Sequence, residues 1–131
     1  MKNKFRAWHI HKQIMCEVIR IDFEQGIVTL DLETDDDEYY WMETDWSFSD
    51  VEIMQSTGLK DADSVEIYEG DIVKMPWTVY DEPELFVVRK KPGHAPRIDN
   101  VTKGKELWLR HKDCEVIGNR FENIDLLEVM E

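Results

Sequence analysis

The stretch that most constrains the fold runs from Ile67 to Lys74, because it joins a tight turn directly to a strand. Gly70 can adopt a positive φ at little steric cost, and the Asp71 carboxylate can accept a hydrogen bond from a nearby backbone N–H. Ile72 and Val73 are β-branched and favour a pleated, half-buried surface. Small β-barrels often bend the chain into a strand in this way. The stretch therefore predicts a β-rich fold and says nothing about chemistry.

The size and composition of the chain fit one domain with a real core. It has 131 residues, of which 42% are hydrophobic, including five Trp, four Tyr and five Phe. No apolar run approaches the length of a membrane span, and Met1–Phe5 lacks the apolar segment of a secretion signal. We therefore expect a cytoplasmic protein without a membrane partner. Cys16 and Cys114 are too few for a disulfide scaffold, and we expect both to be buried free thiols.

The charge of the chain is strongly acidic and unevenly distributed. The net charge is -13, yet the segment from Val88 to Lys112 carries eight basic and two acidic residues. That segment has a net charge of +6, which leaves -19 for the rest of the chain. Bulk acidity repels polyanions and favours solubility, whereas a local basic segment can still make a directed contact. A solvated lysine-rich loop is the simpler interpretation of the same segment.

Alternating polar and apolar residues predict an antiparallel meander at the N-terminus. Its strand-like segments are Lys4–Trp8, Ile14–Phe23 and Ile27–Leu32, with a tight turn at Gln25-Gly26. Tyr39 to Phe48 is rich in aromatic residues, which usually fill a core or shield a sheet face, although a partner-binding patch is the alternative.

The C-terminal two thirds of the chain read as further short strands separated by turns. The apolar segments are Val51–Gln55, Leu85–Val88, Glu106–Arg110 and Glu115–Ile117. Lys90 to Asn100, which holds two prolines and a glycine, is the best candidate for a long loop. Asn123 can cap a short helical turn over Ile124–Met130. We assign structural turn roles to Gly58, Gly70, Asp71, Gly118 and Asn119.

Two sets of residues in the sequence partly match known metal sites, one for calcium and one for zinc. Asp31, Glu33 and Asp35 have the alternating spacing of a calcium loop, but Asp36 and Met42 stand where the loop needs Gly and Glu. A zinc site would have to combine the residues His9, His11, Cys16, His111 and Cys114, and the paired Cys spacing of small zinc domains is missing. We expect no metal and no cofactor.

The sequence assembles no catalytic constellation, and we expect the protein not to be an enzyme. Nothing places a base and an oxyanion hole near Cys114, and each glycine that could serve a phosphate loop is isolated. A nuclease-type carboxylate cluster around Asp31–Asp37 remains as an alternative, although 29 acidic residues make neighbouring carboxylates unavoidable.

Three segments together resemble a known family. They are Lys4–Trp8, the run from Met54 to Asp61 that leads into Glu66–Val73, and Glu115–Asn119 followed by Phe121–Asn123. In these segments the chain resembles the YopX family of small phage and prophage proteins. Two departures stand out, because the turn from Asp61 to Ser64 lacks the Gly that the family usually carries, and His9 stands where a different polar residue is more common.

The resemblance implies an architecture and an origin. The expected fold is mainly β, with an SH3-like β-barrel, an N-terminal antiparallel meander and a short C-terminal helical turn. We expect one domain over residues 1–131, with a meander lobe over 1–48 and a barrel lobe over 49–131, encoded by a phage or prophage. The family has no established biochemical function, so the resemblance implies no activity and no catalytic residue.

We therefore hypothesise a non-enzymatic interaction module that binds an unidentified host or phage protein. The predicted binding residues are the cationic and aromatic side chains of one region, namely Arg89, Lys90, Lys91, Arg97, Trp77, Tyr80 and Trp108. One alternative is an acidic mimic of nucleic acid that inhibits a host DNA-binding protein. Another is direct nucleic-acid binding through the Arg89–Arg97 loop. An exposed strand edge could also pair two copies of the chain.

Overall fold

A computed structural model describes residues 5–32 and 42–130 of the chain. These residues form eleven β-strands, three single-turn 3₁₀ helices and one short α-helix, so the fold is mainly β as predicted. The chain divides into two compact units, Met1–Gln55 and Ser56–Glu131. The division falls further along the chain than the lobe boundary expected after residue 48, and it lies inside one strand, Val51–Lys60.

The first four strands of the first unit form an antiparallel meander, as predicted for the N-terminal strands, and the fifth strand pairs with the first. The strands of this unit are β1 (Phe5–His9), β2 (Ile14–Asp22), β3 (Ile27–Leu32), β4 (Met42–Ser47) and the first half of β5 (Val51–Lys60). They pair in the order β4-β3-β2-β1-β5. The predicted turn at Gln25-Gly26 joins β2 to β3, where the Gln25 N–H donates to Asp22 Oδ1 over 3.1 Å.

The core of the first unit consists of the apolar residues that alternate along these strands. The apolar members of β2 and β3 in this cluster are two positions apart, which is the period of a sheet with one covered face. The buried residues of the whole cluster are Ala7, Cys16, Val18, Val28, Leu30 and Val51. Trp46 and Phe48 pack against this cluster, so these two aromatic residues have the core role that the sequence suggested.

The second unit contains a five-stranded antiparallel sheet. Its strands are β7 (Asp71–Pro76), β8 (Pro83–Arg89), β9 (Arg97–Asp99), β10 (Gly104–Glu106) and β11 (Glu115–Asn119). They pair in the order β10-β9-β8-β7-β11. The second half of β5 pairs with β6 (Glu66–Tyr68), and the chain ends in α1 (Ile124–Met130). Among the strands of residues 56–130, no ladder joins β10 to β11 and closes this sheet.

A separate hydrophobic core holds the second unit together. Eight side chains are buried in it, and three more pack against it at its margin. The buried ones are Ile67, Val73, Met75, Phe86, Val88, Ile98, Leu107 and Cys114. The partly buried ones are Leu59, Trp77 and Val116. Both predicted buried thiols are therefore in cores, Cys16 in the first unit and Cys114 in the second.

The turn before β7 forms as the sequence predicts. Gly70 has a φ of +87°, and the Tyr68 N–H donates to Asp71 Oδ2 over 2.8 Å. The Gly70 N–H also donates to the carbonyl oxygen of Val88 over 2.9 Å, so the turn is tied to the end of β8. Gly70 and Asp71 are both buried, and the turn is therefore part of the packed structure of this unit.

The remaining predicted turn residues have related roles. Asn119 Oδ1 accepts the N–H groups of Phe121 and Glu122, which closes the turn between β11 and α1. Gly118 lies in β11 where an added Cβ would collide with the side chain of Asn123. Gly58 differs from the prediction, because it lies within β5 with a φ of +78° at a shift in strand register and does not reverse the chain.

Two segments differ from the strand pattern that the sequence indicated. The predicted strand over Glu106–Arg110 ends at Glu106, and Leu107–Leu109 forms a 3₁₀ turn. The N–H of Leu107 donates to the carbonyl oxygen of Pro96, which buries Leu107 and leaves the next two side chains exposed. The predicted long loop is shorter than expected, because Ile98 is buried and draws Arg97–Asp99 into the sheet as β9.

Several expectations fall on residues outside the described ranges. The calcium-loop and nuclease alternatives depend on Glu33 to Asp37, and most of the aromatic segment lies at Tyr39 to Trp41. The longest helix in residues 5–32 and 42–130 is α1, and none there is long and apolar enough to cross a membrane.

Candidate functional site

A cleft of about 340 Å³ lies between the end of β8, the turn before β7 and α1. We call it the basic cleft and define it by its nine lining residues. They are Glu69, Gly70, Val87, Val88, Arg89, Lys90, Lys91, Arg120 and Leu127. Four of these residues are cationic and one is acidic, although the chain as a whole has a net charge of -13. The cleft is therefore a concave basic surface on an acidic protein.

The strand period explains how β8 contributes to this cleft. Phe86 and Val88 point their side chains into the core of the second unit. Because successive side chains of a strand alternate between faces, Val87 and Arg89 lie on the opposite face. Leu127 of α1 lines the same cleft as these two residues. We call the apolar side chains of Val87 and Leu127 the apolar floor of the cleft, and its four cationic side chains the cationic edge.

The cations of the cleft are only partly neutralised by the protein. Lys90 Nζ donates to the carbonyl oxygen of His94 over 2.9 Å, and the Arg120 guanidinium carbon lies 4.6 Å from the centre of the Phe121 ring. Within the described ranges, Arg89 and Lys91 form no salt bridge. Exposed cations without a carboxylate partner repel one another and attract anions.

Arg97 lies beside the cleft without lining it. Arg97 and Arg89 are direct partners in the pairing of β8 with β9, an arrangement that is unfavourable for like charges. The Arg97 guanidinium leans toward β10, where its Nη2 lies 3.3 Å from Asp99 Oδ1. Asp99 thus offsets the charge of Arg97, whereas the charge of Arg89 remains at the cleft.

The predicted aromatic partner Trp77 has a structural role. Its ring stacks on Phe86 with 5.9 Å between the ring centres, at the margin of the core. Lys105 Nζ lies 4.8 Å from the centre of the same ring, and Lys103 Nζ lies 5.6 Å from it. These contacts cover Trp77, so its ring is not available as a stacking platform.

Tyr80 and Trp108 also lie apart from the basic cleft. Tyr80 is 94% exposed in the connection between β7 and β8, at the opposite end of that hairpin from Arg89. Seven extended residues separate the two ends of β8, which is about 20 Å. Trp108 is 57% exposed, and its Nε1 donates to Glu106 Oε2 over 2.5 Å. The structure therefore brings Arg89, Lys90 and Lys91 together but leaves the predicted aromatic residues elsewhere.

Sequence reasoning missed five lining residues of the cleft and assigned Gly70 only a turn role. The five are Glu69, Val87, Val88, Arg120 and Leu127. Arg120 lies outside the basic segment of Val88 to Lys112, so a charge count along the chain did not include it. Its N–H donates to the carbonyl oxygen of Gly70 over 2.9 Å, which brings it to the turn before β7. The predicted turn at Gly118-Asn119 was the available signal, since it returns the chain toward the sheet.

A second cleft of about 310 Å³ lies beside the other end of β8. Val129 and Met130 of α1 line it together with Pro83, Leu85 and neighbouring residues of the β9–β10 connection. Among the described residues that line it, Glu84 is the one charged side chain, and it pairs with Lys103 Nζ over 2.5 Å. The described lining of this cleft is therefore more apolar than that of the basic cleft.

The residues considered for zinc and for nucleophilic catalysis have other partners. His9 Nδ1 accepts the N–H of Lys12, His11 Nε2 lies 3.2 Å from Asp50 Oδ1, and His111 Nδ1 lies 2.6 Å from the carbonyl oxygen of Lys60. Burial raises the pKa of Cys16 and of Cys114 to about 11. Both thiols are therefore protonated at neutral pH, and the thiolate is the form that attacks or binds a metal.

No three His, Cys, Asp or Glu side chains of residues 5–32 and 42–130 come together as a metal site would require. In the same part of the chain, neither cysteine Sγ has a histidine among its hydrogen-bond partners, and the one contact between the two residue types joins the backbone N–H of Cys114 to the carbonyl oxygen of His111.

Fold and site define this chain as a mainly β protein with two antiparallel sheets and a basic surface cleft. The model of the YopX protein family matches residues 4–128, and the chain belongs to that family. No curated protein matches the chain.

Two solved structures are similar over nearly the whole chain. One is the crystal structure of protein EF1440 from Enterococcus faecalis, with 26% identity, a TM-score of 0.63, and coverage of 95% of this chain and 96% of that one. The other is the crystal structure of protein yopX from Bacillus subtilis, with 21% identity, a TM-score of 0.63, and coverage of 97% and 99%. Because the identity to the second structure is only 21%, that similarity shows the fold alone.

Proposed function

We propose that the chain is a non-enzymatic interaction module, encoded by a phage or prophage and acting in the bacterial cytoplasm. It binds a host or phage protein through the basic cleft. The observation that carries the proposal is the grouping of four cations around one concave surface of an acidic chain.

The grouped cations of the cleft are unfavourable for the stability of the fold and favourable for binding an anionic partner. Like charges held close together destabilise a fold, and Arg89 stands directly opposite Arg97 in the sheet. Arg89 and Lys91 have no salt bridge within the described part of the chain to offset this cost. An anionic partner bound in the cleft would supply the missing counter-charges.

We further propose that the second unit is an SH3-like barrel within a single YopX-like domain. Support comes from contacts between strands that are not neighbours in the sheet. Trp77 follows β7, yet Lys103 and Lys105 of the β10 region lie over its ring. Arg110 donates to the carbonyl oxygens of Pro76 and Trp77 over 2.8 and 2.9 Å. The sheet is therefore strongly curled, and small barrels of this kind often present a binding groove between loops.

The experiment is an affinity pull-down from host lysate, with and without nuclease, followed by mass spectrometry. The proposal predicts a discrete protein that is recovered in both conditions. It also predicts that the combined variant Arg89→Glu, Lys90→Glu and Lys91→Glu loses that protein. Retention of every partner by this variant would show that the site assignment is wrong.

A second candidate function is mimicry of nucleic acid by the acidic body of the chain. Glu17, Asp31 and Glu43 are direct partners across β2, β3 and β4, which aligns three carboxylates in one row. This candidate predicts a salt-sensitive complex with a basic DNA-binding protein of the host and no binding to DNA. The cleft variant should retain such a complex, because the acidic row lies in the first unit.

Direct binding of nucleic acid is a third candidate, with less support. Single-stranded nucleic acid is usually held by cations together with aromatic rings, and no aromatic residue is among the described residues that line the basic cleft. Recovery of nucleic acid in the pull-down, lost on nuclease treatment, would favour this candidate. Self-association through a strand edge also remains a proposal, and light scattering of the purified protein tests it.

A further inference from the structure

We propose that the basic cleft recognises a short acidic protein segment in which carboxylates flank an aliphatic side chain. This inference rests on the proposed function and specifies its ligand. It combines the two features of the lining, namely a cationic edge and an apolar floor.

The four cations of the cationic edge can bind several ligand carboxylates. Arg89 and Arg120 offer planar guanidinium groups that can hold a carboxylate through two parallel hydrogen bonds. Lys90 and Lys91 add two ammonium groups that act as point charges. Glu69 is the one acidic side chain among the nine described lining residues, so several ligand carboxylates can be accommodated beside them without strong repulsion.

The apolar floor favours a ligand that carries an aliphatic group between those carboxylates. Val87 and Leu127 supply the apolar side chains of the lining, since Val88 points its side chain into the core, and Leu127 is only partly buried. A volume of about 340 Å³ is at the small end of the range for ligand pockets. The cleft therefore fits one or two side chains of a peptide, and a leucine or similar residue would cover Leu127.

The same observations favour a peptide over nucleic acid. None of the nine described lining residues is aromatic, so bases would find no stacking surface among them. The chain outside the basic segment carries a net charge of -19, which repels a long polyanion that extends beyond the cleft. A short acidic segment places its charges at the cations and avoids most of that repulsion.

Fluorescence anisotropy with the full chain and defined probes tests this inference. The main probe is a labelled peptide that alternates Glu and Leu. The comparison probes are the same peptide with Gln for Glu, the same peptide with Ser for Leu, and an oligothymidylate of equal length. The acidic Leu peptide should bind tightest, and loss of its carboxylates should weaken binding by about tenfold or more.

Matched variants locate the binding on the protein. Arg89→Glu should weaken binding of the acidic peptide by about tenfold, whereas Lys112→Glu, an equal charge change outside the cleft, should change it less than about twofold. Leu127→Ser should remove the preference for Leu over Ser in the peptide. Val129→Ser, which alters the other cleft, should leave that preference intact.

The outcomes distinguish a failure of this inference from a failure of the proposed function. Equal effects of Arg89→Glu and Lys112→Glu would overturn the inference, because binding would then be general charge attraction. Tighter binding of oligothymidylate, weakened by Arg89→Glu, would overturn it in favour of nucleic acid. If no peptide binds while the cleft variant still loses a partner in the pull-down, the ligand class is wrong and the interaction module stands. If both experiments fail, both proposals are wrong.

Discussion

The imidazole of His9 is held neutral in the core of the first unit. The residue is 1% exposed, and its Nδ1 accepts the N–H of Lys12 over 3.0 Å, which assigns the ring hydrogen to Nε2. Within the described residues, Nε2 has no hydrogen-bond partner, and the ring meets Trp46 edge to face with 4.2 Å between centres. Burial, with the nearby His11 and Lys12, lowers the pKa of His9 below its usual 6.5.

This environment predicts a pH-dependent stability of the fold. Because the unfolded chain binds a proton at His9 more readily than the folded chain, the free energy of unfolding falls as pH drops below 6.5. His9→Asn should remove part of this dependence, since it keeps an acceptor but does not titrate. Urea unfolding on both sides of that pH measures the effect, with His11→Asn as the control. Identical pH profiles for wild type and His9→Asn would contradict the assignment.

Ser64 is one of two residues other than glycine that have a positive φ in the described part of the chain. Its φ is +65°, in the left-handed region that costs most side chains free energy. Ser64→Gly should therefore stabilise the protein by roughly 0.5–1 kcal/mol, and Ser64→Val should destabilise it. The midpoint of urea unfolding checks both changes. A loss of stability in Ser64→Gly would show that the serine side chain contributes more than the strain costs.

Asp61 organises the turn that ends at Ser64 through its buried carboxylate. Oδ1 accepts the N–H groups of Asp63 and Val65 over 2.8 and 2.9 Å, and Oδ2 accepts the N–H of Val116 over 2.9 Å. Asp61→Asn replaces one acceptor oxygen with a donor and should cost about 2–3 kcal/mol of unfolding free energy. Asp63→Asn is the matched control, because its side chain is exposed. Equal stability of the two variants would contradict this role.

At the scale of elements, Arg110 ties the end of β7 to the 3₁₀ turns that lead into β11. Its guanidinium donates to the carbonyl oxygens of Pro76 and Trp77 and to Asp113 Oδ2. Arg110→Lys keeps the charge but cannot reach three acceptors with one ammonium group, so a loss of about 1–3 kcal/mol is expected. Thermal unfolding measures it, with Lys112→Arg as the control. An unchanged Tm for Arg110→Lys would show that these bonds contribute nothing net.

Strands and turns with local signals could be predicted from the sequence, whereas elements set by distant contacts could not. Gly70 and Asp71 form the predicted turn because both requirements, a positive φ and a nearby N–H, are local. Leu107–Leu109 looked like a strand, since its turn depends on a hydrogen bond from Leu107 to the distant Pro96. Ile98 likewise forms β9 because the core of this unit buries it.

The candidate site shows the same difference between residues with local signals and residues placed by distant contacts. Arg89, Lys90 and Lys91 are adjacent in sequence and remain together in the structure. Tyr80 is close to Arg89 in sequence but lies at the other end of the β7–β8 hairpin, because an antiparallel pair separates its turn from its open end. Arg120 joins the cleft after the turn at Gly118-Asn119, where its N–H donates to the carbonyl oxygen of Gly70, and a charge count along the chain does not include this distant contact.

At the scale of the whole molecule, the distribution of charge is the main functional signal. A net charge of -13 argues against general affinity for nucleic acid, while the basic cleft concentrates cations on one surface of the second unit. Binding through this surface should weaken with rising salt, since its main attraction is between exposed charges. Titration of the captured partner at increasing salt measures this, and salt-independent affinity would mean that apolar contacts dominate.

The most direct test of the interaction module compares three proteins in one quantitative pull-down from nuclease-treated lysate. They are the wild type, the combined variant Arg89→Glu, Lys90→Glu and Lys91→Glu, and Lys112→Glu. If the basic cleft is the binding site, the wild type and Lys112→Glu recover one protein equally and the cleft variant loses it. Recovery of the same protein by all three would contradict the central claim that the basic cleft is the binding site.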